Sequence, residues 1–297
     1  MAKNILHIIT PLTHISPFDV NMALDAGYDA TIPYTNVSVN EITGLVQDVM
    51  FSRSPRDAAR TGVFIGGKDA FLALDMRDAA AKALMKPFEI SLFADPAGSF
   101  TTAAAMIAVV EKILREKKDR GLRGAVVSIF GATGVVGIAS GVIAALESAS
   151  VTFVGYDGTE RVARHAAEIK RRFGVEVTAA DGSTAEKKAA ILQTTEVALC
   201  AARAGVRVLD AAQIAAATKL LVAADVNAVP PPGIEGLDIQ ANGAPLGDRS
   251  GALGVGALAI GNVKYRTESG LFKQMTESKT AVRFDFRQAF EFARTLA

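Results

Sequence analysis

The chain has 297 residues, half of them hydrophobic and 21% charged, with a net charge of +1. That balance excludes a disordered chain and supplies neither the basic field that nucleic acid needs nor an acidic tail. The length admits two domains, each with its own core, and the single cysteine, Cys200, excludes an internal disulfide and any multi-cysteine metal site.

The first apolar run, Ile5–Ile9, is a short strand with no signal-peptide cleavage pattern around it, so a cytoplasmic protein is expected. Ser16-Pro17-Phe18-Asp19 follows it. Loops after strands carry ligands in α/β sheets, so Phe18 can stack on a flat ring and Asp19 can accept bonds from ring N–H groups. Equally, Asp19 can start a helix over Val20–Ala26, and the residues alone leave both readings open. The strand Gly62–Ile65 meets Gly66-Gly67-Lys68-Asp69 and a helical pattern over Asp69–Met85. A tight βα turn capped by Asp69 explains that spacing better than a ligand against the Gly66 backbone. The strand Ile90–Phe93 runs into Asp95-Pro-Ala-Gly98-Ser99-Phe-Thr101-Thr102. Ser99 or Thr101 as an N-cap accounts for part of this run but not for Asp95-Pro-Ala-Gly. A helix over Thr101–Lys117 follows. Its charged end, Arg115–Arg120, is a solvated helix terminus and a domain boundary.

Residues 124–157 are the most informative stretch. An apolar run, Ala125–Phe130, meets Gly131-Ala132-Thr133-Gly134-Val135-Val136-Gly137, then an apolar Ala-rich segment, then the run Val151–Val154 and Asp157. Strand, glycine turn, helix, strand and acid, in that order, form the layout of a dinucleotide-binding βαβ unit. Gly131 and Gly134 let the backbone turn and a pyrophosphate approach, while Gly137 lets the helix pack near the strand. The helix N-terminus offers N–H groups to the phosphates, and Asp157 can bond the adenosine ribose. A glycine-rich packing turn that binds nothing is the plainer alternative. Ala125–Leu146 is also uncharged and long enough to span a membrane, but its glycines and Ser128, Thr133 and Ser140 argue against that. A nicotinamide cofactor would narrow the chemistry to hydride transfer.

Further strands are expected at Val175–Thr178, Val197–Cys200 and Leu220–Ala223, with Cys200 packing as a small apolar residue. After the last of them comes Asp225-Val-Asn227-Ala-Val-Pro-Pro-Pro-Gly233. Asn227 can bond a nicotinamide carboxamide there, or the prolines can simply make a rigid connector. Gly251–Lys264 is glycine-rich and apolar, and Gly254 and Gly256 would let backbone approach a flat ring. A lone lysine after such a run is, by itself, more often a snorkelling surface residue. A helix over Phe286–Leu296 ends the chain.

Strands alternating with helices indicate an α/β protein: a Rossmann-like nucleotide-binding domain over residues 105–267, and a second α/β substrate domain over 1–104 plus 268–297, with a cleft between them. The three histidines, His7, His14 and His165, form no cluster, and no HExxH, GxSxG or P-loop pattern occurs. That disfavours a zincin, a nucleophile-elbow hydrolase, a P-loop kinase and alcohol oxidation by a histidine base.

Five segments agree in order and spacing with one family: Ser16–Ala23, Phe64–Lys68, Ala94–Thr102, Ala224–Pro231 and Gly256–Tyr265. Over essentially its whole length the chain resembles the methylenetetrahydromethanopterin dehydrogenases of methylotrophic bacteria, and among them the form that accepts both NAD and NADP. The resemblance implies oxidation of 5,10-methylenetetrahydromethanopterin to the methenyl cation, a step of formaldehyde oxidation, with no metal and a homotrimeric or other homo-oligomeric assembly. Neither nucleic acid nor membrane is an expected partner. By the same resemblance Phe18 and Asp19 hold the pterin, Gly66, Asp95, Ser99 and Thr102 line its pocket, and Lys264 matches an active-site lysine that positions the pterin and tunes charge. Lys264 and Asp19 are the expected catalytic pair. Gly131–Gly137, Asp157, Arg161, Asp225, Asn227, Gly254 and Gly256 are the expected cofactor contacts. Asp157 would bond a ribose diol and repel a 2′-phosphate, whereas Arg161 and Arg164, one helical turn apart, can pair with that phosphate. Use of both cofactors respects both features. A methylenetetrahydrofolate dehydrogenase is the nearest other enzyme, and a non-catalytic dinucleotide sensor is the reading from a different class.

Overall fold

The computed structural model of the chain describes residues 2–247 and 251–297. They form two compact units, Met1–Thr101 with Tyr265–Phe292, and Thr102–Lys264 with Ala293–Ala297. In chain order the elements are β1 (Ile5–Ile9), α1 (Pro17–Asp25), β2 (Ala30–Tyr34), α2 (Ile42–Phe51), β3 (Thr61–Ile65), α3 (Ala70–Ala83), β4 (Ser91–Ala94) and α4 (Ser99–Lys118). Next come β5 (Val126–Phe130), α5 (Val135–Leu146), β6 (Ser150–Gly155), α6 (Glu160–Phe173), β7 (Val177–Asp181), α7 (Ala185–Leu192), β8 (Val197–Cys200), α8 (Ala211–Ala216), β9 (Val222–Asp225), β10 (Asn242–Pro245) and β11 (Leu253–Val255). The chain ends with α9 (Ala257–Glu277), β12 (Arg283–Phe284) and α10 (Phe286–Leu296).

The first unit holds a parallel sheet in the order β12-β4-β3-β1-β2. β3 and β4 are buried at every residue, which is why they read as continuous apolar runs. The strand order reverses at β1, because β2 lies on one side of it and β3 on the other. In a doubly wound sheet such a reversal opens a crevice at the carboxyl ends of the strands. Phe64, Phe93 and Phe272 are fully buried and pack with ring centroids 5.3 Å apart, giving the unit an aromatic core.

The second unit holds the order β10-β11-β9-β8-β5-β6-β7, parallel throughout except for β10. Its reversal falls between β5 and β8, again at a pair of strand ends. The uncharged stretch Ala125–Leu146 is divided between β5 and α5 by the glycine turn, so it is no single span. Among the described residues one helix, Pro96–Lys118, is long and apolar enough to cross a membrane, and 78% of its apolar window is buried inside the structure.

Helix starts follow their side chains. Asp69 accepts from the Leu72 N–H at 2.8 Å and caps α3, as the plain turn reading of Gly66–Asp69 requires. At α1 the expectation is corrected. Ser16, not Asp19, is the cap, with Pro17 in the first turn, and the helix starts three residues before Val20.

Candidate active site

In the first unit, the carboxyl ends of three neighbouring strands bring the expected substrate segments together. Ile9, Ile65 and Ala94 are aligned by register. The ladder runs one step further: Gly66 N–H donates to the Ile9 carbonyl at 3.0 Å and Asp95 N–H to the Ile65 carbonyl at 3.1 Å. Thr10, Gly66 and Asp95 therefore stand in a row across β1, β3 and β4. Phe18 and Asp19 lie in the first turn of α1, just beyond β1. Phe18 is 45% exposed although large and apolar, and its ring meets Tyr265 edge-on at 6.5 Å. Asp19, one residue on, is 3% exposed. A carboxylate is favoured electrostatically in a first helical turn.

Asp95 is fully buried, and its oxygens are engaged. Oδ1 accepts from the backbone N–H of Phe100 at 2.7 Å and of Thr101 at 3.2 Å, and Oδ2 accepts from the Thr101 hydroxyl at 2.6 Å. This carboxylate opens α4, where Ser99 or Thr101 was the expected cap. Ser99 is half-buried and its hydroxyl lies 3.5 Å from the Ala97 carbonyl. Thr102 and Lys264 belong to the second unit, and both are half-buried.

In the second unit a cavity of about 620 Å³ opens at the reversal between β5 and β8. It is lined by Gly131, Thr133 and Gly134 of the glycine turn, by Tyr156 after β6, and by Arg203 and Val206 after β8. Its size lies within the range of small-molecule sites, roughly 300–1,000 Å³. The turn itself is made by Gly131, whose φ of +79° and 2.4 Å clearance to the Ala201 backbone would not admit a side chain. Gly137 packs the helix as expected, since a Cβ there would stand 2.5 Å from the Gly131 carbonyl oxygen. Gly134 differs: it has ordinary backbone angles, is exposed, and is the N-cap of α5 with no side chain capping that helix. The N–H groups of the first turn, from Val135 and Val136 onward, are thus left for a ligand. Ala132 is buried beneath the turn. These features fit a dinucleotide pyrophosphate.

Beyond β6, Arg161 reaches back across the loop. Its Nη1 donates to Asp157 Oδ2 at 2.9 Å and to the Tyr156 hydroxyl at 2.8 Å, and its Nη2 to the Thr133 hydroxyl at 3.3 Å. The bond to Asp157, and then that to Tyr156, raise the guanidinium pKa above its ordinary value. Arg164 is 4.0 Å from Glu160 at the surface.

Four expected cofactor contacts are placed otherwise. Asp225 is buried at the end of β9, and Oδ1 accepts from Asn227 N–H at 2.9 Å while Oδ2 accepts from Gly233 N–H at 2.7 Å. Burial raises its carboxyl pKa, partly offset by these backbone bonds. Asn227 donates to the Pro231 carbonyl at 3.0 Å and accepts from Val229 N–H at 2.9 Å. Both side chains therefore organise the proline loop, the rigid-connector reading of that segment. At Gly254 the space for a side chain is filled by Leu237, and at Gly256 by the backbone of Asp238 and Ile239. Close packing within the unit, not an open face, requires glycine at both. Arg203 and Val206 escaped the sequence reading because the segment after β8, Ala201-Ala-Arg-Ala-Gly-Val206, has no motif. Its one available signal was position, directly after the strand beside β5. Among the described residues no group of three or more His, Cys, Asp or Glu side chains could hold a metal ion.

Two parallel α/β units, one of them a Rossmann unit with a cavity at its switch point, define the fold class of two-domain dehydrogenases. Quinate dehydrogenase from Corynebacterium glutamicum in complex with NAD shares this fold at a TM-score of 0.54 and 14% identity, over 98% of each chain. Shikimate 5-dehydrogenase from Listeria monocytogenes, in complex with shikimate and NAD, does so at 0.52 and 12%, over 99% of this chain and 96% of that one. Sequence then sets the family. The chain is 50% identical, over the full length of both, to the NAD(P)-dependent methylenetetrahydromethanopterin dehydrogenase of Methylorubrum extorquens. Residues 17–97 match the family described as methylene-tetrahydromethanopterin dehydrogenase, N-terminal. The chain belongs to the methylenetetrahydromethanopterin dehydrogenase family.

Proposed function

We propose that the protein oxidises 5,10-methylenetetrahydromethanopterin to the 5,10-methenyl cation with NAD or NADP, as a step of one-carbon (formaldehyde) oxidation. The observation that carries this reading is the full-length 50% identity to a dehydrogenase of that name. The cavity at the uncapped start of α5 supports its cofactor half.

A bound nicotinamide supplies the hydride acceptor. The C–H bond of the N–CH2–N carbon breaks with both electrons leaving as hydride, and the remaining cation is shared by two nitrogen lone pairs. No proton leaves the substrate, so the chain needs no strong base. It needs position and a suitable field. The exposed face of Phe18 stacks on the pterin, and the buried Asp19 carboxylate accepts its ring N–H groups. Gly66 and Ser99 line the same pocket. Asp95 acts there by fixing the start of α4. Lys264 positions the pterin and tunes charge. A direct role beside the reacting carbon is disfavoured, because a positive lysine would oppose the developing cation. Asp157 takes the ribose diol of NAD, and Arg161, with Arg164, takes the 2′-phosphate of NADP.

The test is the absorbance of reduced nicotinamide when the protein meets methylenetetrahydromethanopterin and either cofactor, with methylenetetrahydrofolate in parallel. Turnover of the methanopterin with both cofactors is expected. Turnover of the folate alone would move the protein to the folate enzymes, and cofactor binding without reduction would make it a sensor. The reading includes a cytoplasmic homo-oligomer, a trimer by resemblance, which light scattering would check.

A further inference from the structure

The Rossmann unit carries an acid and a cation at the same corner, and their arrangement bears on how one site takes two cofactors. Resting on the reading above, we infer that Tyr156 is the positioning residue that allows NADP to be bound beside Asp157, because its phenol holds the Arg161 guanidinium in place without neutralising it.

Arg161 has three partners. Asp157 is the anionic one, and Tyr156 and Thr133 are neutral hydroxyls contributed by two different loops. The guanidinium carbon also stands 5.4 Å from the centre of the Tyr156 ring, within the range of a cation–π contact. If Asp157 were its sole anchor, Arg161 would lose its hold whenever that carboxylate turned to a ribose diol. It would also be neutralised whenever the carboxylate stayed. The two hydroxyls separate holding from neutralising. A 2′-phosphate can then replace Asp157 as the anionic partner while Arg161 stays where it is.

Among the described residues the Tyr156 hydroxyl bonds only Arg161. Tyr156 is 70% exposed, so it adds little to the core. Its backbone is fixed by a bridge to Gly158, and its side chain lines the cavity together with Thr133. The other cations of the cavity wall are occupied or uncommitted. Lys188 donates to the Val208 carbonyl and Arg207 pairs with Glu235 at 2.6 Å. Arg203 has no side-chain hydrogen bond or ion pair recorded among the described residues, which makes it the competing candidate for the phosphate.

The experiment is calorimetric binding of NAD+ and of NADP+ to the full chain, without the pterin, for wild type, Tyr156→Phe and Arg203→Ala. Tyr156→Phe removes one oxygen from an exposed ring, so the fold is safe. The expected result is that Tyr156→Phe weakens NADP+ by about fivefold, a fraction of the charge-assisted bond it removes, with NAD+ changed less than about twofold. A lost scaffold would weaken both cofactors alike, and that outcome overturns the inference. So does an unchanged NADP+ affinity, or a selective NADP+ loss seen only in Arg203→Ala. Wild type that binds neither cofactor would overturn the cofactor reading itself. Binding of both without pterin turnover would overturn the proposed reaction and leave this inference standing.

Discussion

Removal of the Asp95 carboxylate is the most direct test of how the substrate unit is held together. Asp95→Ala strands two backbone N–H groups, of Phe100 and Thr101, and takes from the Thr101 hydroxyl one of its two acceptors. Phe100 and Thr101 are both fully buried, so water does not replace the lost acceptor. Each buried donor left unpaired costs about 1–3 kcal/mol, and truncating a helix cap about 0.5–2 kcal/mol. Some of this is offset because a buried charge is also removed. The expected net loss of unfolding free energy is ~3 kcal/mol, dominated by the two N–H groups. Asp95→Asn behaves differently. Its amide oxygen can keep both N–H bonds, and its NH2 then faces the Thr101 hydroxyl, whose hydrogen can turn to the Gly98 carbonyl 3.2 Å away. A cost within about 1 kcal/mol follows for this variant, since no buried polar group is orphaned. Urea unfolding of the two variants measures both numbers. Equal loss in the two, or an Asp95→Ala protein within about 1 kcal/mol of wild type, would refute the reasoning. Since both oxygens are engaged in the fold, the KM for the pterin in Asp95→Asn should also stay within a few-fold of wild type.

Asp157→Ala should shift the NAD to NADP ratio of kcat/KM toward NADP by about tenfold, because it removes a ribose acceptor and a competitor for Arg161. An unchanged ratio in steady-state kinetics would count against the assignment. Lys264→Ala should lower kcat/KM for the pterin by at least about tenfold through lost positioning, with cofactor affinity unchanged in binding titrations. Asp225 gives a pH signature. Its folded pKa lies above the unfolded value, so the folded state holds the proton more tightly, and its contribution to stability is full at low pH and declines as pH rises through the raised pKa. The stability difference between wild type and Asp225→Asn should therefore favour wild type most near pH 4 and shrink toward pH 7. A difference that grows with pH would contradict it.

The parallel strands were legible where burial on both faces leaves a continuous apolar run, as in β3, β5 and β8. β7 and β9 were found two residues early, because Val175 and Leu220 extend the apolar pattern before pairing begins. Four strands were not legible. β2 contains Pro33 and lies at a sheet edge, where a proline is tolerated but the strand signal is lost. β10, β11 and β12 have two to four residues each, too short for a periodic pattern; β11 and β12 exist through pairing with the distant β9 and β4, and β10 pairs with β11.

At the site, the limit of the sequence was of another kind. A carboxylate or amide after a strand end reads the same whether it faces a ligand or its own loop. Asp95, Asp225 and Asn227 all sit at such ends, and all three bond the chain just beyond them: Asp225 and Asn227 bond backbone groups of the proline loop, and Asp95 the Phe100 and Thr101 N–H groups and the Thr101 hydroxyl. Each is followed closely by proline or glycine: Pro96 and Gly98, Pro230–Pro232 and Gly233. Such loops cannot form regular ladders, and they leave backbone donors that must find an acceptor inside the protein. Asp157 is the contrast. Its side chain remains 39% exposed, and its partner is Arg161, a cation that a phosphate can claim. A strand-end acid followed closely by proline is thus better read first as an acceptor for the chain just beyond it, as at Asp95 and Asp225. The same distinction makes Asp95 a test of stability and Asp157 a test of cofactor choice.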